Sequence, residues 1–259
     1  YDINKEIRNC SSLEELVSKT NIIFICLPTP MNFDGSCNLD IVQNVVKDIN
    51  HIAEKLNSHK TIAIKSTVLP GTTDKINNQF KNISVLFNPE FLTEANFIDD
   101  FKNQNRIILG GENDELVKVE ELYSLIFPNI PILKTSSKVA EMIKYFTNTF
   151  LATKVSFANE MKQICECLEI NYEKVVEYAK YDVRLGESHW SVPGPDGNYG
   201  FGGSCFPKDI NALIRFCKDN NILAKTLMGA WETNLEVRPE KDWEQLKGRA
   251  VTKNKKDID

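Results

Sequence analysis

The chain has 259 residues, of which 42% are apolar, and a formal net charge of -5. That length supports one large or two ordinary globular domains, and the scattered lysines and arginines exclude a basic arm for nucleic acid or an anionic membrane. Its longest apolar run, residues 22–27, is far too short to span a bilayer, and seven cysteines without a C-x-x-C pair suit reduced thiols, so a cytoplasmic protein is expected.

The first residue is Tyr1 rather than methionine, and the beginning of the chain reads as missing. The first ~110 residues alternate β-branched runs with amphipathic stretches, which predicts a parallel sheet with crossover helices. Strands are expected at residues 22–27, 61–65, 85–88 and 106–109. A helix is expected over 39–56, where positions 41, 42, 45, 46, 49, 52, 53 and 56 are apolar. Three of these strands run into polar, proline-marked sequence: Pro28-Thr29-Pro30, Ser66 to Thr72, and Asn88-Pro89-Glu90. In open α/β sheets ligands bind beyond the carboxyl ends of the strands, so a site is expected where these segments converge.

Beyond Thr135 the pattern becomes helical. A long helix is expected from 138 to about 168, capped by Ser136 or Ser137. At roughly 45 Å it would be long enough to span domains or a dimer interface. Shorter helices are expected at 172–180 and 207–219, with a glycine-rich loop, 186–206, leading into the second. The last residues are charged, contain Pro239, and read as a docked tail. The expected organisation is therefore a partial Rossmann-like parallel-sheet domain over 1–135, an α-helical central domain with one long helix over 136–235, and a tail over 236–259.

Within the glycine-rich loop, Gly200-Phe-Gly-Gly-Ser-Cys205 has the spacing of a dinucleotide loop but a thiol in the third glycine position. Pro207 belongs in the first turn of a helix, so Cys205 is expected at a helix N-terminus, where the dipole and free amides favour a thiolate. A cysteine in a tight loop can equally be a small buried hydrophobe; the glycines before it and Lys208-Asp209 after it favour the nucleophile. The other six cysteines are read as ordinary side chains.

Lys144 and Asn148 project from one face of the long helix. Glu141 lies on the same period, so a plain surface pair with Lys144 is the competing reading. Asn88-Pro89 reads as an N-cap and first helical residue, which would put Glu90 and Glu94 on one face of a helix start, where the macrodipole favours acids in any case. Thr29 and Thr67 stand at strand ends, and Asp2 has the character of an acid that holds an adenosine ribose. His51, His59 and His189 lack partner spacing, so no metal site is expected.

Taken together these blocks resemble the UDP-glucose/GDP-mannose dehydrogenase family: Pro28-Thr29-Pro30, Lys65-Ser66-Thr67-Val68, Asn88-Pro89-Glu90-Phe91-Leu92-Thr93-Glu94, the stretch from Lys144 through Asn148 to Glu160, and the Cys205 loop, in the family's order. The resemblance implies an NAD-dependent, four-electron oxidation of a nucleotide sugar's primary alcohol. Cys205 would add to the intermediate aldehyde, and the thiohemiacetal would become a thioester that water cleaves. Lys144 would stabilise oxyanions, Asp209 and Thr67 would position or activate water, Glu90 would serve in acid–base work, and Asn148 would bond the sugar. Phe91, Leu92 and Glu94 would line the substrate and nicotinamide region, and Gly202 would let the loop backbone approach the sugar. Arg184 would reach the substrate of a neighbouring subunit, with dimerisation through the long helix. Asp2, Pro28, Thr29, Thr67 and Glu94 would fall on the cofactor side.

Phe201 and Phe206 beside the loop favour UDP-glucose over GDP-mannose as the implied substrate. The family's glycine-rich G-x-G-x-x-G loop precedes the aspartate matched by Asp2, and a second Rossmann-like domain follows the central helices. Neither has a counterpart in these 259 residues. A non-catalytic, dimer-forming remnant that binds nucleotide sugars is the alternative of a different class.

Overall fold

A computed structural model describes residues 1–253, less the side chains of residues 113 and 115; the last six residues of the expected tail lie outside the described residues. The chain folds as two compact units, one made of Tyr1–Thr29 and Leu39–Lys144, the other of Pro30–Asn38 and the chain from Tyr145 onward.

In the first unit, α1 (Leu13–Lys19) precedes β1 (Ile22–Ile25), α2 (Asp40–Lys55), β2 (Lys60–Ile64), α3 (Thr72–Gln79), β3 (Ile83–Phe87), α4 (Phe97–Lys102), β4 (Ile107–Gly110), α5 (Asn113–Ile126) and β5 (Ile132–Thr135). The strands form one sheet in sequence order. Alternation along each strand divides the core between two faces. Ile23, Ile25, Ile62, Ile64, Val85, Phe87 and Ile108 pack with Val42, Val46 and Ile49 of α2 and Ile76 of α3. Ala63, Leu86, Ile107 and Leu109 face the other way, onto Leu116, Val119 and Tyr123 of α5. Each fully buried Ile or Leu adds about 1.5–3 kcal/mol of transfer free energy, and covering both faces is what a parallel sheet requires.

β1, β2 and β3 are parallel, so their carboxyl ends lie side by side as expected. The sheet as a whole is not parallel: β4 runs antiparallel to β3 through the pair Phe87 and Gly110, and β5 then runs parallel to β4. The segment between β3 and β4, residues 88–106, holds only the short helix α4 in place of a full crossover helix. β1 also stops two residues early, because the N–H groups of Lys65 and Ser66 both go to the Ile25 carbonyl while Ser66 Oγ accepts from the Leu27 N–H.

Two further expectations are corrected. Residues 88–96 are not helical, and Glu90 and Glu94 share no helix face. Asn88 cannot serve as a cap because its side-chain amide donates to the Ile108 carbonyl and accepts from Tyr123 Oη and Lys65 Nζ. Glu141 is not a surface partner of Lys144: it is fully buried and accepts from the Gly71 N–H, the Thr73 N–H and the Thr73 hydroxyl. Gly71, the N-cap of α3, has φ +92° and no side chain to offer, so a carboxylate from elsewhere supplies the acceptor that the helix N-terminus needs.

The long helix α6 (Ser137–Cys167) has 31 residues and belongs to the first unit as far as Lys144 and to the second from Tyr145. In the second unit follow α7 (Tyr172–Ala179), a 3-10 turn (Val183–Leu185), α8 (Phe206–Asp219), α9 (Lys225–Val237) and a second 3-10 turn (Asp242–Gln245). Apolar clusters form around Ala152, Phe201, Ile210 and Ala230 and around Ala158, Cys165, Tyr172 and Val192. The segment Pro30–Asn38 is tied into this unit by Asp34 to Arg215 at 2.7 Å and by backbone bonds between Met31 and residues 250 and 252. No helix among the described residues is long and apolar enough to cross a membrane.

Candidate active site

In the first unit the strand ends carry the expected residues. Thr29 and Thr67 are buried just beyond β1 and β2, and Pro28 is exposed. The two ends are cross-tied by the Ser66 hydroxyl, which accepts from the Leu27 N–H at 2.7 Å. Residues 26–30 and 66–71 contain no charged side chain, so this set of hydroxyls and backbone groups fits the hydrogen-bonding ribose and carboxamide of the nicotinamide half of a dinucleotide. Asp2 is half-buried and accepts from the Asn4 N–H at 2.7 Å.

Beyond β3, Lys144 of α6 reaches Glu90, donating to its carbonyl at 2.5 Å and to its carboxylate at 3.0 Å. Lys144 is only 2% exposed. Burial pushes Glu90 towards its neutral form, but the Lys144 ammonium, the Leu92 N–H and the more distant Lys65 outweigh it, and the carboxyl stands below its usual range. The Phe91 ring lies beneath Arg106 at 4.5 Å and Lys144 at 5.4 Å. Glu90, Phe91 and Leu92 line a cleft of about 380 Å³ together with Lys65 and Arg106. Burial pulls the Lys65 ammonium below its ordinary value; Cys26 and Glu90 oppose that fall and Lys144 adds to it. Glu94 is exposed in the turn that follows.

In the second unit Cys205 is the N-cap residue of α8 and Pro207 lies in the first turn, as its sequence predicts. The Asp209 carboxylate, 1% exposed, accepts from Asn148 Nδ2 at 2.6 Å and pairs with the Lys208 ammonium. Burial alone would lower the Lys208 ammonium below its usual range. Asp209, and after it Cys205, more than offset that influence, so the lysine is held above its usual value. A cation and a helix N-terminus thus bear on one thiol, the combination that favours thiolate. Arg184 projects from the first 3-10 turn with an 85% exposed side chain, paired with Asp182.

The structure thus groups Lys144 with Glu90 and Phe91 in one unit, and Cys205 with Asp209 and Asn148 in the other. Sequence reasoning gave no role to Lys65, Asn234 or Arg238, read Asn88 only as a helix cap, and used Lys208 only as a neighbour that favours the Cys205 nucleophile. Lys65 and Lys208 stand inside the motifs and had a local signal in their position. Asn234 and Arg238 act on the Cys205 loop from a helix some thirty residues away, a distance over which sequence carries no pairing signal. Among the described residues no cluster of His, Cys, Asp or Glu is arranged to hold a metal.

Residues 3–127 match the UDP-glucose/GDP-mannose dehydrogenase family, NAD binding domain, and residues 138–236 match the central domain of the same family. The chain is 34% identical over 244 residues to UDP-glucose 6-dehydrogenase TuaD of Bacillus subtilis, a match covering 91% of this chain and 51% of that protein. A UDP-glucose dehydrogenase from the hyperthermophilic archaeon Pyrobaculum islandicum superposes with a TM-score of 0.81 at 32% identity, over 89% of this chain and 54% of the other. A GDP-mannose dehydrogenase from Pseudomonas aeruginosa superposes with a TM-score of 0.62 at 27% identity, over 90% of this chain and 55% of the other. The chain therefore spans about half the length of the relatives it matches.

Proposed function

The chain belongs to the UDP-glucose/GDP-mannose dehydrogenase family, and from that premise we propose that it carries out the NAD-dependent four-electron oxidation of UDP-glucose to UDP-glucuronate. The observation that carries this reading is Cys205 at the N-terminus of α8, beside the Lys208 ammonium. NAD, when bound, accepts a hydride in each of the two oxidations. Pro28, Thr29 and Thr67 at the strand ends, with Asp2 and Glu94, are the residues assigned to hold it.

The chain's own groups account for the remaining steps. Lys144 withdraws charge from the oxygen of the alcohol and of its aldehyde product. The Cys205 sulfur adds to the aldehyde carbon and the carbonyl oxygen gains a proton, giving a thiohemiacetal. Loss of hydride and of the hydroxyl proton gives a thioester, and water, to which Asp209 and Thr67 are each assigned, releases the carboxylate and restores the thiol. Holding the aldehyde on sulfur keeps it from escaping between oxidations. Glu90 takes the acid–base role, supported by its direct pairing with Lys144. Asn148, whose amide is oriented by Asp209, bonds the sugar, and Phe91, Leu92 and Gly202 are the other residues assigned to the substrate.

Two wider assignments belong to the same reading. A homodimer forms through α6, supported by its exposed Phe146, Phe150, Phe157 and Ile164, and exposed Arg184 reaches the other subunit's substrate. A cytoplasmic location is supported by seven cysteines that are all thiols.

The test is NADH formed per UDP-glucose consumed. Two per sugar are expected, and Cys205→Ala should form no sugar acid. Sugar acid from the Cys205→Ala protein would sink the thioester route. GDP-mannose is the rival substrate, favoured by the P. aeruginosa likeness, and the same assay with GDP-mannose decides between them.

A further inference from the structure

We propose that Asn234 and Arg238 of α9 and its C-cap are positioning residues for the nucleophile, a clamp that fixes the loop from which Cys205 enters α8. The proposal rests on the reading of Cys205 as nucleophile.

Asn234 is fully buried. Its Oδ1 accepts from the Phe201 N–H at 2.7 Å and its Nδ2 donates to the Phe201 carbonyl at 3.0 Å. A single planar amide, with its acceptor and donor side by side, thus satisfies both polar groups of one loop residue. One turn further, Arg238 donates from Nη1 to the Tyr199 carbonyl at 3.2 Å and is itself held by Asp196 and Asp242. Asn159 of α6 accepts from the Gly200 N–H at 3.1 Å. Every residue from Tyr199 to Phe201 is therefore bonded by a buried side chain from α6, α9 or its cap.

The glycines of the loop fit the same clamp. A Cβ at Gly200, which has φ +65°, would overlap Asn234 Oδ1, and a Cβ at Gly202 would overlap the Arg238 guanidinium. These two positions are glycine because the clamp fills the space beside them. From Gly202 only Gly203, at φ +70°, and Ser204 separate the clamped segment from Cys205. The loop is thus fixed at one end by α9 and at the other by the first turn of α8. The sulfur keeps its place at the helix N-terminus, near Lys208, only while both ends hold.

The experiment uses the chain itself and needs no substrate. Iodoacetamide alkylation of Cys205 is followed by peptide mass spectrometry from pH 6 to 10. The variants are Asn234→Ala, Asn234→Asp, and Tyr172→Phe as a control that removes a hydrogen bond to the Trp190 carbonyl elsewhere in the unit. In Asn234→Ala the half-maximal pH should rise towards that of an ordinary thiol, about 8.5. At a pH well below the wild-type half-maximal value, a rise of one unit would slow alkylation by about tenfold. Asn234→Asp keeps the shape and the acceptor for the Phe201 N–H, so it should fold and fall between the two. The control should leave the profile unmoved. Wild-type profiles in both Asn234 variants, or an equal shift in the control, would overturn the clamp. A wild-type profile already that of an ordinary thiol would instead remove the nucleophile reading, and the clamp with it.

Discussion

Replacing Glu141 tests whether a carboxylate from α6 holds α3 and the strand-end segment that contains Thr67. Its three acceptor contacts, at 2.5, 2.8 and 2.6 Å, go to Gly71 N–H, Thr73 N–H and Thr73 Oγ1. Glu141→Gln preserves the shape and leaves Oε1 for Thr73, but turns an amide donor towards the Gly71 N–H. One hydrogen bond to a charged acceptor is lost, about 1.5–3 kcal/mol, and a buried donor is left unsatisfied, about 1–3 kcal/mol. Against this stands relief from burying a charge, the influence that raises the Glu141 carboxyl above its usual value. The expected net loss is about 2–4 kcal/mol, and Glu141→Ala, which strands all three donors, should lose more. The assay is urea unfolding followed by far-ultraviolet circular dichroism. Trp190, Trp231 and Trp243 all belong to the second unit, so their fluorescence reports that unit in the same titration. The circular-dichroism midpoint should fall with the slope unchanged. A Glu141→Gln midpoint within ~0.5 kcal/mol of wild type would refute the reasoning, because a fully buried acceptor of three donors cannot be dispensable.

Two further predictions concern charge and surface. Lys144→Met should cost about 3–5 kcal/mol at pH 7 by leaving Glu90 without its partner. In the wild type Glu90 is held below its usual range, so its contribution is complete at neutral pH and is lost as pH falls through its folded-state value. Without Lys144, burial dominates and the carboxyl rises, so the deficit should shrink from pH 7 to pH 5; urea midpoints showing the same deficit at both would count against the pair. Phe146→Glu with Phe150→Glu places charge on side chains that are 66% and 61% exposed on α6, and should convert a dimer to a monomer in sedimentation equilibrium. A wild-type chain that is monomeric at every concentration would dispose of the dimer.

What the sequence made legible divides by the range of the forces involved. The strand ends and the start of α8 were readable because their determinants are local: β-branched runs ending at prolines, and Pro207 in a first turn. The Asn88-Pro89 helix failed for a reason outside any local window. Asn88 has cap chemistry, but three partners at Lys65, Tyr123 and Ile108 claim its amide first, and a cap works only if its side chain is free to turn back on its own backbone. Glu141 failed in the opposite sense. Helical spacing beside Lys144 described a surface pair, yet a glycine at the N-cap of α3, seventy residues earlier, created a need for acceptors that only a buried carboxylate meets. The Cys205 loop shows both regimes at once. Its thiol was legible from the proline beside it, while the clamp at Asn234 and Arg238 was not, because its partners are backbone groups, and every sequence has those. Residues with reactive side chains announce themselves by type; residues that hold a distant backbone segment become visible once the fold places them.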